Sequence, residues 1–218
     1  MERGPEVYRE VDGEEVTYAL DHVRFCVGDE DSRPYLRALD CQKGRVRACD
    51  GAMYTHYDMK DKIDFSIPGH VVDAVRSYLK DFTSNANKDG IGFGETENAY
   101  HFSTGVDSVS IAKPSFAYPD LNTIIVRRVR EDIPCVLKVS PLELSNALSN
   151  VAVVSDKNDT KLEISIQRDK LTLKCAKRGG TEAVTSLEAQ WTNPDRTAYF
   201  DVKRFRDLLN SVVSGGSE

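Results

Sequence analysis

Apolar and polar positions follow two periods along this chain, and the changes of period mark its elements. Residues 7–11 alternate as a short strand. Asp12 then reads as an N-cap, with Glu15 three residues on as its capping-box partner. Val16, Leu20 and Val23 form the buried stripe of a first helix. Arg33-Pro34-Tyr35 leads into a strand over 36–41, Lys43-Gly44 is a turn, and 45–49 is the returning strand. Asp50-Gly51 signals another turn, before a strand over 53–59. Pro68 takes the first position of a second helix, where a missing N–H costs nothing. That helix buries Val72, Val75 and Leu79. Strands over 90–93, 99–103 and 108–113 follow, the last ended by Pro114 and Pro119.

The second half repeats this order. A strand over 135–139 enters a helix over 141–151. Strands over 161–167 and 170–176 meet at Arg168-Asp169, a strand-like run covers 183–191, and a final helix covers 201–213. Matching residues support a repeat: 22–25 parallels 150–153 at an offset of 128, Cys49 parallels Cys175 at 126, and Val72, Val75 and Leu79 parallel Phe205, Leu208 and Val212 at 133. Each half reads as an α+β module whose helices cover one face of a mostly antiparallel sheet. The second module has no run matching the last three strands of the first, because 214–218 is a flexible Ser/Gly tail.

Charge places the boundary. Residues 1–132 carry a net charge of −7 and residues 133–218 a net charge of +1, with the change beside the Arg127–Pro134 stretch. The expected domains are therefore 1–132 and 133–218. An overall charge of −6 excludes a chain that coats nucleic acid with its whole surface, but admits a local basic patch. No run is long and apolar enough for a membrane helix, and the N-terminus has no secretory h-region, which points to the cytoplasm. The five cysteines (26, 41, 49, 135 and 175) form no CxxC pair and read as reduced thiols.

Catalytic constellations are missing. His22, His56, His70 and His101 are scattered without an H-E-x-x-H spacing, and no G-x-S-x-G or phosphate-binding loop occurs. Gly90-Ile91-Gly92-Phe93-Gly94 precedes no helix, so it is no phosphate cradle. Asp58, Asp61 and Asp64 alternate with Lys60 and Lys62, which oppose cation binding. A non-catalytic protein with neither metal nor cofactor is expected.

Three segments carry a family likeness: Val23-Arg24-Phe25-Cys26-Val27, Asp31-Ser32-Arg33-Pro34-Tyr35-Leu36 and Arg47-Ala48-Cys49-Asp50-Gly51. They resemble the helix end, D-x-R-P-x-L and T-D-G run in domain 2 of the bacterial DNA polymerase III beta subunit, the sliding clamp. Tyr118-Pro119-Asp120 resembles the F-P-D-Y segment that closes that domain. Residues 163–167, 169–175 and 200–213 resemble the start of domain 3.

The resemblance implies a processivity factor in DNA replication that surrounds double-stranded DNA and tethers a polymerase. It implies basic helix faces toward DNA, here Arg24, His70, Arg76, Lys80, Lys203, Arg204 and Arg206. It also implies a pocket for a clamp-binding peptide at Leu36, Cys49, Gly51, Ala52, Met53, Tyr54, Pro119, Thr123 and Ile124. Ala52-Met53 stands where the family has a basic or polar pair, and Thr123 where it has Arg. Self-association is implied too. The alternative is a clamp-derived interaction or regulatory module that forms no ring.

Overall fold

The computed structural model describes residues 5, 7–29, 33–84, 90–120, 137–155, 160–177, 179–191 and 194–213. They fall into two compact units, with the division after Asp120. The expected boundary at 132/133 lies outside the described residues, as do Thr123, Ile124 and Cys135.

In the first unit, β1 (Arg9–Val11) leads into α1 (Gly13–Val23). Asp12 caps α1 by accepting from the Glu15 N–H at 3.0 Å, as the spacing predicts. A single 3-10 turn, Pro34–Arg37, precedes β2 (Ala38–Gln42), so the strand starts two residues later than its pattern suggests. β3 (Arg45–Cys49), β4 (Tyr54–Asp58) and β5 (Phe65–Pro68) complete an antiparallel sheet of order β4-β3-β2-β5.

Pro68 is therefore the last residue of a strand, paired with Ala38, and α2 begins at Gly69 (Gly69–Ser84). The sequence concealed β5 because Phe65, Ser66 and Ile67 are all buried, so it has no alternation. A second antiparallel sheet, β1-β6-β7-β8, adds β6 (Ile91–Glu95), β7 (Ala99–Ser103) and β8 (Ser108–Ala112). Glycines in and just before β6 admit the N-terminal segment: a Cβ on Gly90 would lie 2.2 Å from Glu10 Cγ, and one on Gly94 2.6 Å from Pro5 Cγ. α1, α2 and both sheets share one core, in which Phe65 meets the rings of Phe93 and Phe102.

The second unit runs β9 (Leu137–Lys138), α3 (Pro141–Ala152), β10 (Lys161–Gln167), β11 (Lys170–Ala176), β12 (Glu182–Glu188), β13 (Gln190–Trp191), β14 (Arg196–Asp201) and α4 (Val202–Val213). Its four-stranded sheet has the order β12-β11-β10-β14. In both units the order is third, second, first, fourth, so the repeat is topological. β14, the counterpart of β5, also went unseen in the sequence. Five of its six residues are exposed, so it too lacks a buried alternate face.

The shared turn also corrects the repeat's phase. Gln42 pairs with Arg45 and Gln167 with Lys170, an offset of 125, which aligns Cys49 with Lys174 and not with Cys175. β9 pairs with β13, whereas its counterpart β1 pairs with β6. Among the described residues nothing corresponds to β6–β8 in this unit. Leu208 is accordingly 36% exposed and Val212 45%, although their counterparts Val75 and Leu79 are buried.

Leu79→Ala should cost about 2–5 kcal/mol by opening a cavity, and Leu208→Ala under about 0.5 kcal/mol, as for a surface site. Urea melts of the two variants compare them directly.

Asp201 accepts from the Arg204 N–H at 2.9 Å at the start of α4. Burial pushes its carboxyl up, but bonds from Thr160 and the Arg204 and Lys203 N–H groups outweigh that and hold it below the ordinary value. Its stabilisation is therefore complete above the unfolded aspartate value and lost as pH falls through the lowered folded one. Asp201→Ala should cost about 1 kcal/mol at neutral pH. The gap from wild type should close in acid, and an undiminished gap there would rule out the capping account.

Candidate functional site

Side chains alternate across β2 and β3. Leu39, Cys41, Val46 and Ala48 enter the core beneath the helices. Ala38, Asp40, Arg47 and Cys49 therefore face the other side of the sheet. Tyr54 pairs with Cys49 and His56 with Arg47, so they share that outer face.

Three backbone segments converge beside it. The Gly28 N–H donates to the Leu36 carbonyl at 2.7 Å, and a Cβ on Gly28 would lie 3.2 Å from Asp50 Cα. Asp50 shapes the loop between β3 and β4 as an Asx turn: its Oδ1 accepts from the Ala52 N–H at 2.8 Å and the Met53 N–H at 2.7 Å. Gly51 has φ +89°, a left-handed backbone suited to glycine, and its missing Cβ faces Leu36 Cδ1 at 3.4 Å. Its N–H donates to Cys49 Sγ at 3.4 Å.

Leu36 and Cys49 thus both meet Gly51, and Asp50 ties the same loop to Met53. Leu36 is buried, Met53, Tyr54 and Pro119 are half-buried, and Ala52 is exposed. Thr123 and Ile124 belong to the same candidate set but lie outside the described residues.

Sequence reading missed a charged pair behind this loop. Arg47 donates from Nη2 at 2.9 Å and Nε at 3.1 Å to a single Asp40 oxygen, and the two side chains are 2% and 7% exposed. The signal was present: the Lys43-Gly44 turn places Asp40 opposite Arg47. Tyr118 covers the pair, with its ring 5.2 Å from the guanidinium carbon and 6.3 Å from the Tyr35 ring. Burial raises the Asp40 carboxyl, and the Arg47 bond offsets part of that rise. Burial also raises the phenols of Tyr54 and Tyr118. Both are therefore neutral hydroxyls in ordinary buffers.

The candidate cations are spent unequally. Arg24 pairs with Asp21 at 3.3 Å and also bonds Asp73, while Arg76 bonds Asp21. The shared face of α1 and α2 thus carries two acids among its bases. Arg24 and His70 line a cleft of about 530 Å³ with Arg37, Gly69 and Phe116, at the start of α2. Lys80 is exposed on α2, and Lys203, Arg204 and Arg206 are exposed on α4. A wider cleft of about 1330 Å³ in the second unit is lined by both signs, with Lys138, Arg168 and Lys170 against Asp169, Glu188 and Asp195. Among the described residues no group of three His, Cys, Asp or Glu could hold a metal, and no helix is long and apolar enough to cross a membrane. Among the described residues no disulfide forms; Cys26, Cys41 and Cys175 are buried and Cys49 is half-buried.

No family model matches the sequence, and no curated protein matches it. Solved structures do match. The sliding clamp (DNA polymerase III subunit beta) of Bartonella birtlesii, bound to griselimycin, superposes with a TM-score of 0.83 at 18% identity. That alignment covers 97% of this chain and 58% of the clamp. Caulobacter crescentus polymerase III beta gives 0.82 at 18% identity over 97% of this chain and 58% of its own. The Pseudomonas aeruginosa DNA polymerase sliding clamp gives 0.80 at 16% identity over 97% and 59%. The chain spans just under three-fifths of the length of the clamps it matches. Its α+β fold of two repeated modules is the fold of bacterial sliding clamps.

Proposed function

We propose that this protein is a sliding-clamp-like processivity factor of DNA replication. It holds double-stranded DNA, tethers a polymerase through a short peptide, acts in the cytoplasm and catalyses no reaction itself. The observation that carries this reading is the repeated module order, shared with bacterial clamps at a TM-score of 0.83. We assign the first unit to the second clamp domain and the second unit to the start of the third.

The chemistry suits both tasks. Sliding requires attraction to phosphates without base reading, so that displacement along the duplex changes little energy. Lys203, Arg204 and Arg206, exposed within four residues of one helix, are the strongest of the DNA-facing candidates. His70 and Lys80 extend that set. Arg24 and Arg76 contribute less, because Asp21 and Asp73 neutralise them.

The loop around Leu36, Cys49, Gly51, Ala52, Met53 and Tyr54, with Pro119, is the described part of the peptide pocket; Thr123 and Ile124 of the same candidate set lie outside the described residues. A buried leucine beside an adaptable methionine suits an apolar anchor.

A second reading, a clamp-derived module that forms no ring, draws support from the exposed Leu208 and Val212 on α4. Light scattering separates the two readings. A ring of six modules would be a trimer of 24.3 kDa chains, whereas the second reading expects a monomer or an edge-paired dimer.

Changing Lys203, Arg204 and Arg206 together to Ala should weaken duplex binding equally on all sequences. It should also reduce the slope of log K against log salt by up to ~3, about one unit per lost phosphate contact. An unchanged slope, or no wild-type binding at low salt, would overturn the DNA assignment.

Met53→Asp should weaken binding of a synthetic peptide with leucine and phenylalanine anchors at least about tenfold, or ~1.4 kcal/mol. Isothermal titration reads this, and unchanged affinity would move the pocket elsewhere.

A further inference from the structure

Asp40 and Arg47 form a buried ion pair on the outer face of the first sheet, where two apolar residues of similar volume would be at least as stable. What an apolar pair lacks is a cation. The Arg47 guanidinium faces the Tyr118 ring at 5.2 Å, and the attraction between a cation and a ring face strengthens where water is excluded. Among the described residues the buried phenol oxygen of Tyr118 has no hydrogen-bond partner, so no bond from that oxygen to them holds the ring in place. Its ring also meets the Tyr35 ring edge-on at 6.3 Å, and Tyr35 belongs to the same 3-10 turn as Leu36. The next residue, Pro119, is part of the pocket.

We propose that Asp40 and Arg47 are positioning residues of the peptide pocket. Asp40 fixes the guanidinium, the guanidinium holds the Tyr118 ring, and the ring sets the path of the chain into Pro119. The link to peptide affinity rests on the pocket reading above; the anchoring of residues 115–120 does not.

The test is the double variant D40L/R47M in the full chain, read three ways. Its melting temperature should stay within a few degrees of wild type, because an apolar pair replaces a buried ionic one. Backbone hydrogen exchange across residues 115–120, measured by mass spectrometry, should rise about tenfold, while exchange in β2 and β3 stays unchanged. Affinity for the leucine- and phenylalanine-anchored peptide should fall about tenfold.

Tyr118→Leu, which keeps the ion pair and removes the ring, should produce the same two losses, and it decides the matter if the double variant fails to fold. Wild-type exchange across 115–120 in either folded variant overturns the proposal. Faster exchange with unchanged peptide affinity overturns the link to the pocket. A wild-type protein that binds no such peptide removes the pocket reading, and the exchange comparison still decides whether the pair anchors the segment.

Discussion

The tight turn at Lys43-Gly44 sets the phase on which the first unit depends. Both residues have positive φ, 52° and 79°, and a Cβ on Gly44 would lie 2.3 Å from the Asp61 carbonyl oxygen. The turn is tied on both sides, with the Gly44 N–H donating to Ile63 O at 3.0 Å and the Met59 N–H to Gly44 O at 2.8 Å. A slip of one residue would move every side chain of β3 to the opposite face. Val46 and Ala48 would leave the helix-facing core, and Arg47 would enter it unpaired. The same turn therefore decides where the core lies, that Asp40 meets Arg47, and that Cys49 and Tyr54 face outward beside Leu36.

The two units show how one topology behaves with and without a counterpart of β6–β8 among the described residues. In the first, β6–β8 bring Ile91, Phe93, Phe102 and Ile111 into the core that holds α1 and α2. Val72, Val75 and Leu79 are then almost fully buried. In the second, α4 has the same place in the order, but Val202 and Leu209 are its buried positions, and Phe205 packs partly against the ring of Phe200. Burying a leucine or valine contributes roughly 1.5–3 kcal/mol. Exposure of Leu208 and Val212 thus leaves the smaller core holding its helix with fewer contacts.

Charge is layered in the same local way. On the helix side of the first unit, Asp21 and Asp73 sit among Arg24 and Arg76, so formal charge alone overstates the attraction of that face for phosphate. On the outer side, Arg47 is directed inward to a ring. Arg45 instead forms an exposed two-pronged pair with Asp58, at 2.6 and 2.9 Å, which holds the carboxyl below its ordinary value. Two arginines two positions apart on the same strand therefore have different roles, set by what covers them.

By itself the sequence determined the elements whose signals are local. Asp12 with Glu15 marks a helix start that the structure places at Gly13. The alternation in 45–49, 161–167 and 170–176 marks strands with those bounds. The α+β repeat and the likeness to clamps were legible in the same way, from the order and spacing of elements. So was the turn at Asp50-Gly51, because a D-G pair is a short local motif.

Tertiary structure decided the rest. β5 and β14 take their strand form from pairing with β2 and β10, because one is buried on both faces and the other exposed along its length. The phase of the repeat followed from strand register, which moved Cys49 away from Cys175. The anchoring of Tyr118 arose from Arg47, 71 positions earlier in the chain, and from Tyr35 in a separate turn. A sequence read along its length shows periodicity and caps because their physics acts within a few residues. It does not show which distant side chain excludes water from a charge, and that is what makes an arginine a phosphate ligand, a surface ion pair or the support of an aromatic ring.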